Sequence, residues 1–185
     1  PDWTIEHNYF DAPQSNTLVG ATFPVGTTNV VWTITDCGGQ IGTCTVEITV
    51  IDNEDPTFVN CPEDLVVNND PDVCGANTLW SVPVAADNCG VQSVTQTAGP
   101  APGNFLPVGT TTIEYTVTDV HGNTNTCSFT IEVMDMQLPE IMCPSSPQVF
   151  GTNGGDCDYD VTGTALDALG FDNCGSVTLT NDYNG

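Results

Sequence analysis

The sequence predicts an all-β chain built of consecutive two-sheet sandwiches. Three observations carry this. Apolar and polar residues alternate at a period of two along several short stretches, and none has the longer period of a helix. Clusters of Gly, Pro, Asn and Asp punctuate the chain between those stretches. One long stretch also occurs twice. Residues 106–133, LPVGTTTIEYTVTDVHGNTNTCSFTIEV, align without a gap with residues 23–50, FPVGTTNVVWTITDCGGQIGTCTVEITV.

The repeated stretch reads as a hairpin. Ile113, Tyr115 and Val117 fall on one face of its first strand, with Thr112, Glu114, Thr116 and Thr118 on the other. Asp119-Val120-His121-Gly122-Asn123 is the turn, because Gly and Asn accept the left-handed backbone that a tight hairpin needs. The second strand alternates through Cys127, Phe129, Ile131 and Val133.

Taken in order, residues 1–51 read as the back half of a first repeat, with one strand from Trp3 and then the hairpin. Half a repeat cannot bury a core alone, so the expectation is a polypeptide that continues upstream. Residues 52–134 read as one complete repeat. An acidic linker, Asp52-Asn53-Glu54-Asp55-Pro56, leads into a strand at residues 58–61, continued at 65–67 beyond Pro62. A turn at 68–72, a strand at 74–84 with Leu79 or Trp80 inward, a turn at 87–90 and a strand at 91–97 come next. A Pro/Gly loop and the hairpin close the repeat. About seven short strands at this spacing predict a two-sheet sandwich. Residues 135–185 begin a third repeat: Cys143-Pro144 repeats Cys61-Pro62, Cys157 repeats Cys74, and Asp172-Asn173-Cys174-Gly175 repeats Asp87-Asn88-Cys89-Gly90. The predicted architecture is therefore tandem two-sheet sandwiches joined end to end by short linkers.

Composition bounds the function. The chain has 185 residues, 24 acidic side chains and no Lys or Arg. Nucleic acid, heparin and anionic lipid are recognised by Lys and Arg, so they are excluded as partners. Apolar residues make up 39% of the chain and alternate, which argues against disorder. No apolar run is long enough to span a membrane, and no signal peptide is present. Nine cysteines in such an acidic, Thr-rich β chain point to disulfides and an oxidising compartment. No Cys-x-x-Cys pair supports a zinc knuckle or a thioredoxin-like site.

The motifs Pro56-x-Phe58-x-x-Cys61-Pro62, Asp87-Asn88-Cys89, Pro107-Val108-Gly109-Thr110, Tyr115-x-Val117-x-Asp119, Gly122-Asn123 and Cys127-x-Phe129 recur in order. In this they resemble the hyalin repeat (HYR) family of immunoglobulin-like domains. The version with extra cysteines and an Asp-Asn-Cys turn resembles the arrays in giant surface adhesins of gliding, Bacteroidota-type bacteria. The resemblance implies that the tandem β-sandwiches are immunoglobulin-like, with an extracellular role in adhesion and no catalytic activity.

Within the complete repeat, Cys61, Cys74, Cys89 and Cys127 allow three pairings. The first and last strands of such a sandwich lie side by side, which favours Cys61–Cys127. Cys74–Cys89 then remains, with Cys157–Cys174 in the third repeat. A straight strand over 74–84 would hold its ends roughly 30 Å apart, far beyond the ~4.4–6.8 Å Cα separation of a disulfide. Pro83 would have to break it. Cys37 pairs with Cys44 across its turn or with a residue upstream.

The acids gather at the predicted pole where the chain enters the complete repeat. The linker brings Asp52, Asn53, Glu54 and Asp55, and the two turns bring Asp87 and Asp119. Carboxylates without a basic partner repel one another, and a hard cation taking six to eight oxygens relieves this. A structural calcium ion is expected there. The linker at 135–139 offers Asp135, helped by Glu140 and Asp172, and is the poorer site. Asp156-x-Asp158-x-Asp160 with Asp167 is a poor calcium loop, since Val161 stands where Gly is needed; the acids read better as the outward face of a strand. His7 and His121 read as surface residues. Trp3, Trp32 and Trp80 form a candidate carbohydrate platform, but Trp32 aligns with inward Tyr115 and reads as core. No motif selects a catalytic pair of carboxylates.

The function read from the sequence is a stalk or filament segment of a long cell-surface adhesin, stiffened by disulfides and calcium. Its partners are the neighbouring repeats of the same chain, with surface glycans or proteins as further ligands and no insertion into a membrane. The alternative is a ligand-binding immunoglobulin-like module of a secreted protein.

Overall fold

The computed structural model describes residues 3–10, 14–151, 161 and 166–180. Every regular element among them is a β-strand. Strands β1 (Trp3–His7), β2 (Gly26–Asp36) and β3 (Ile41–Val50) form an antiparallel sheet in that order. Asp36 closes the β2–β3 turn: its Oδ1 accepts the N–H groups of Gly38 and Gln40, each at 2.8 Å.

Eight further strands lie in the stretch that the sequence predicts to be a complete, central repeat. They are β4 (Thr57–Asn60), β5 (Leu65–Asn68), β6 (Gly75–Asn77), β7 (Val84–Ala86), β8 (Val91–Ala98), β9 (Phe105–Pro107), β10 (Gly109–Asp119) and β11 (Thr124–Met134). The main sheet has the order β5-β11-β10-β8, with β5 parallel to β11 and the other pairings antiparallel. The pairs β4–β7 and β6–β9 supply strands to the opposite side of the core. Pro62 separates β4 from β5, and the two join different sheets. The chain then continues through β12 (Glu140–Met142), paired with β13 (Leu169–Phe171).

The core obeys the alternation of the hairpin. Ile113, Tyr115 and Val117 of β10 are buried, and so are Cys127, Phe129, Ile131 and Val133 of β11. Ala76 and Leu106 meet this face, and Phe58, Leu65, Val67 and Trp80 pack around it. Gly75 is required for the closure: a Cβ there would collide with the Leu106 carbonyl and the Phe105 ring. Of the two candidates for an inward position, Trp80 is the one that packs, with its ring edge-on to Phe129 at 6.1 Å. Leu79 is exposed.

The first copy of the hairpin has the same pattern without a covering layer among the described residues. Ile34 is 44% exposed, whereas its counterpart Val117 is fully buried. Trp32, expected in a core, is only half-buried and meets the His7 ring edge-on at 5.0 Å. Cys37 and Cys44 are exposed and form no disulfide. The β2–β3 register sets Cys44 opposite Trp32, well away from Cys37 in the turn.

Two sequence expectations change here. The strand expected over 74–84 is interrupted. Only Gly75–Asn77 and Val84–Ala86 are strands; between them the Thr78 carbonyl accepts Gly103 N–H, and Pro83 has no N–H for a ladder. The cysteine pairing also differs. Cys61 is bonded to Cys127, but Cys74 is bonded to Cys174. The expected Cys74–Cys89 and Cys157–Cys174 bridges are thus replaced, and Cys89 is exposed and forms no disulfide. Cys157 lies outside the described residues, as do Asp156, Asp158 and Asp160. The reason is polar separation. Cys89 lies beside Asp52 at the entry end, and the Cys74 loop lies near the exit, where Asn69 N–H reaches Met134 O. Strand β11 runs between these ends, an extended span of roughly 30 Å.

Candidate metal centre and the junctions between repeats

Three elements converge at the entry pole. The linker delivers Asp52, the β7–β8 turn delivers Asp87, and the end of β10 delivers Asp119. One carboxylate oxygen from each lies within 4.8 Å of the other two. The Asp119 residue is 0% exposed and the Asp52 side chain 3%. No Lys or Arg exists in the chain to neutralise them.

Backbone geometry holds each acid in place. Asp119 Oδ1 accepts N–H bonds from His121 (2.8 Å) and Asn123 (2.9 Å), and Asn123 Nδ2 donates to its Oδ2 at 2.7 Å. Burial opposes the Asp119 charge, but these bonds outweigh it, and its carboxyl is held below the ordinary aspartate range. Asp87 Oδ1 accepts Cys89 N–H and Gly90 N–H, each at 2.8 Å. Asp87 Oδ2 is buried with no hydrogen-bond partner. An orphaned carboxylate oxygen beside two further carboxylates is costly unless a proton or cation satisfies it.

The linker is clamped to the hairpin. Asn123 Nδ2 donates to the Asp52 carbonyl at 3.3 Å, and Asn125 Nδ2 to the Pro56 carbonyl at 2.9 Å. His121 Nδ1 lies 3.1 Å from Asp52 Oδ2. Of the other expected ligands, Asn53, Glu54 and Asp55 are exposed, and the carboxylates of Glu54 and Asp55 lie outside the cluster. Glu54 instead accepts a bond from Asn88 Nδ2 at 2.9 Å.

The donor set fits a hard cation. Asp52, Asp87 and Asp119 offer only oxygen, the ligand type of calcium and magnesium. A second set, Asp52, Cys89 and His121, shares Asp52 and adds one sulfur and one nitrogen. The Cys89 thiol is pushed above its ordinary pKa by desolvation first, then by its bond to Asp52 and by repulsion from Asp52, Asp87 and Asp119. This disfavours the thiolate, the form that binds a metal.

The second junction is built differently. Cys174 is bonded to Cys74 with Cα atoms 4.6 Å apart. Asn173 Nδ2 donates to Val73 O at 3.0 Å. Asp72 N–H donates to Gln137 Oε1 at 2.7 Å, and Gln137 Nε2 returns a bond to Asp72 Oδ1 at 2.9 Å. Asp72 holds a positive φ of 60°, which Asp tolerates better than most residues. Among the described residues, both groupings able to hold a metal lie at the entry pole, so Asp135, Glu140 and Asp172 form none here.

Sequence reasoning missed His121, Asn123 and Asn125 as the clamp on the linker. The Gly-Asn turn gave a signal, since Asn123 ends the hairpin turn and can reach back to Asp119. It also missed Cys74–Cys174 and the Asp72–Gln137 pair, which join residues 100 and 65 apart in sequence.

Several known proteins resemble this chain. The model of the HYR domain matches residues 51–133. Hyalin of Strongylocentrotus purpuratus is 35% identical over 140 residues, 72% of this chain and 11% of that protein. Hyalin of Lytechinus variegatus is 35% identical over 144 residues, 73% of this chain and 27% of that protein. The chain thus spans a small part of these relatives. A Rattus norvegicus protein with sushi, von Willebrand factor type A, EGF and pentraxin domains is 35% identical over 107 residues, 56% of this chain and 3% of that protein. The carboxylate cluster, the Cys61–Cys127 bridge and the hairpin core all lie in, or at the edge of, the segment matched by the HYR domain. Residues 51–133 are thus similar to the HYR domain, and the chain as a whole is similar to hyalin.

Proposed function

We propose that this chain is a structural segment of a longer extracellular, adhesion-type protein, and that it transmits position and tension without catalysing a reaction. The observation that carries the reading is the covalent tie between Cys74 and Cys174, which joins residues 100 apart in sequence. Such a bridge restrains the angle between the central repeat and the next one along the chain. The similarity to hyalin and the unrelieved acidity of the chain support an extracellular setting.

Calcium is the second stiffening element in this reading. Asp52, Asp87 and Asp119 would hold it, completing its shell with water or backbone oxygen. It would neutralise the cluster and fix the linker against the β7–β8 and β10–β11 turns. The test is small-angle scattering of the chain in four conditions: with and without reductant, and with calcium or chelator. Retention of one maximum dimension and one flexibility profile in all four conditions would defeat the stalk reading.

A further inference from the structure

The Asp-Asn-Cys-Gly turn occurs at 87–90 and again at 172–175. Both copies are held alike: Asp87 Oδ1 accepts Cys89 N–H, and Asp172 Oδ1 accepts Cys174 N–H, each at 2.8 Å. In the second copy the cysteine is bonded to Cys74 on the loop between β5 and β6. A hydrogen bond from the neighbouring Asn173 to Val73 fixes the same approach. The bridge is therefore one between repeats, from the exit loop of one to the entry turn of the next. In the first copy Cys89 sits on the equivalent turn, exposed and in no disulfide. Residues 3–50 contribute a sheet and hairpin with no loop of the 70–75 kind among the described residues.

We propose that Cys89 is the receiving half of a second bridge between repeats. Its partner is a cysteine on a loop of the 70–75 kind. Two sources carry that chemistry. One is another repeat of the same polypeptide. The other is Cys157 of a second copy, which in sequence takes the place of Cys74 and would join chains end to end. The bond forms by exchange with a low-molecular-weight disulfide. Two thiols lose their protons and two electrons, one S–S bond forms, the reagent's S–S bond breaks, and the reagent leaves as two thiols. The inference rests on the reading of the chain as linked repeats, and it adds that the link is a recurring device.

The experiment uses the natural full-length protein, isolated without reductant and with free thiols alkylated at once. Trypsin finds no site between residues 1 and 185, so cleavage after Glu or before Asp is used. The expected result is complete loss of alkylation at Cys89 and its recovery in a cross-linked peptide with a loop cysteine of the Cys74 kind. Monomer mobility on a non-reducing gel assigns the partner to the same polypeptide. A ladder that collapses on reduction, with Cys89 joined to Cys157, assigns it to a second copy. Both support the proposal. Recovery of alkylated Cys89, or of Cys89 joined to Cys37, Cys44, Cys143 or a small thiol, overturns it. If Cys74–Cys174 is intact in that sample, the linked-repeat reading survives; if that bridge is also missing, both fall. In a Cys89→Ser variant the partner thiol becomes newly alkylated while Cys74–Cys174 is unchanged.

Discussion

Trp80 Nε1 donates a hydrogen bond to Tyr115 Oη at 3.0 Å, and this contact pins the interrupted segment 78–83 onto the central sheet. Tyr115 is almost fully buried, and Gln96 Oε1 accepts from the same hydroxyl at 3.4 Å. The contact explains how a chain with no ladder over this segment still covers the core. Tyr115→Phe keeps the ring and leaves the indole N–H without a partner, so it is expected to cost about 1–3 kcal/mol. Tyr115→Ala also opens a cavity and is expected to cost about 3–5 kcal/mol. Urea unfolding monitored by Trp fluorescence measures both. A neutral Tyr115→Phe would show that packing alone holds the segment.

The two disulfides restrain different things. Cys61–Cys127 closes a loop within the central repeat, with Cα atoms 5.8 Å apart. Its removal by Cys61→Ala is expected to cost about 2–5 kcal/mol and to lower the melting temperature of that repeat. Cys127→Ala should match it, because either change breaks the same bond. Cys174→Ser removes the Cys74–Cys174 bridge, which ties residue 174 to the loop before β6, and is expected to change the spread of end-to-end distances far more than the melting of the central core. Calorimetry and double-label distance measurements separate the two effects. Equal thermal losses from Cys61→Ala and Cys174→Ser would mean that the repeats unfold as one unit.

The hairpin core was legible because it depends on local periodicity. Ile113, Tyr115, Val117, Phe129 and Ile131 alternate, and alternation on a strand is a statement about one face. The entry pole was legible in part. Asp52 of the linker and Asp87 and Asp119 at two turns are brought together by the fold, but Asn53, Glu54 and Asp55 are near Asp52 only in sequence, and an extended linker points successive side chains in different directions. The Cys74–Cys174 bridge was not legible. The sequence repeats favour pairing at short range, Cys74 with Cys89 and Cys157 with Cys174, whereas the structure bonds two residues 100 apart. The segment 74–84 failed for a similar reason: its apolar pattern is that of a strand, but Pro83 and the tertiary contact from Gly103 to Thr78 break it.

Acid should weaken the entry pole in a defined window. The Asp119 carboxyl is held below its ordinary value because the bonds from Asn123, His121 and Gly122 exceed the cost of its burial. A depressed carboxylate binds fewer protons in the folded state than in the unfolded state, so it stabilises above the unfolded value near ~3.9 and loses this as pH falls through the folded value. The wild-type chain in chelator is expected to lose stability steeply below about pH 4. Asp119→Asn removes this source of acid lability and should flatten the limb while lowering stability at pH 7. Denaturant titrations from pH 2 to pH 7 provide the check, with the range chosen to bracket ordinary carboxylate values. An unchanged acid limb in Asp119→Asn would assign the lability to other carboxylates, with Asp64, depressed by its bonds from Thr130, as the next to test.

The carboxylate cluster gives a prediction whose sign reverses with the ion. Without a cation, Asp52, Asp87 and Asp119 repel one another, and Asp87 Oδ2 is buried with no bond. Asp87→Asn removes one charge while its amide oxygen can still accept the Cys89 and Gly90 N–H groups. In chelator this variant is therefore expected to be as stable as the wild type or more so. With a cation present the order reverses, because the wild type has three carboxylates to bind it and the variant two. Calcium sites of extracellular modules commonly have dissociation constants near ~10⁻⁴–10⁻³ M. At ten times the dissociation constant, binding adds about 1.4 kcal/mol to wild-type stability, and Asp87→Asn should lose most of that gain. Magnesium is expected to stabilise less, since it demands a rigid octahedral shell and gives up its water reluctantly. Glu54→Gln, outside the cluster, should leave the calcium response intact. Melting curves of wild type, Asp87→Asn and Glu54→Gln in chelator, magnesium and calcium test the whole scheme. A wild-type melting temperature indifferent to millimolar calcium would remove the metal, and the clamp of Asn123 and Asn125 on the linker would then hold this junction alone.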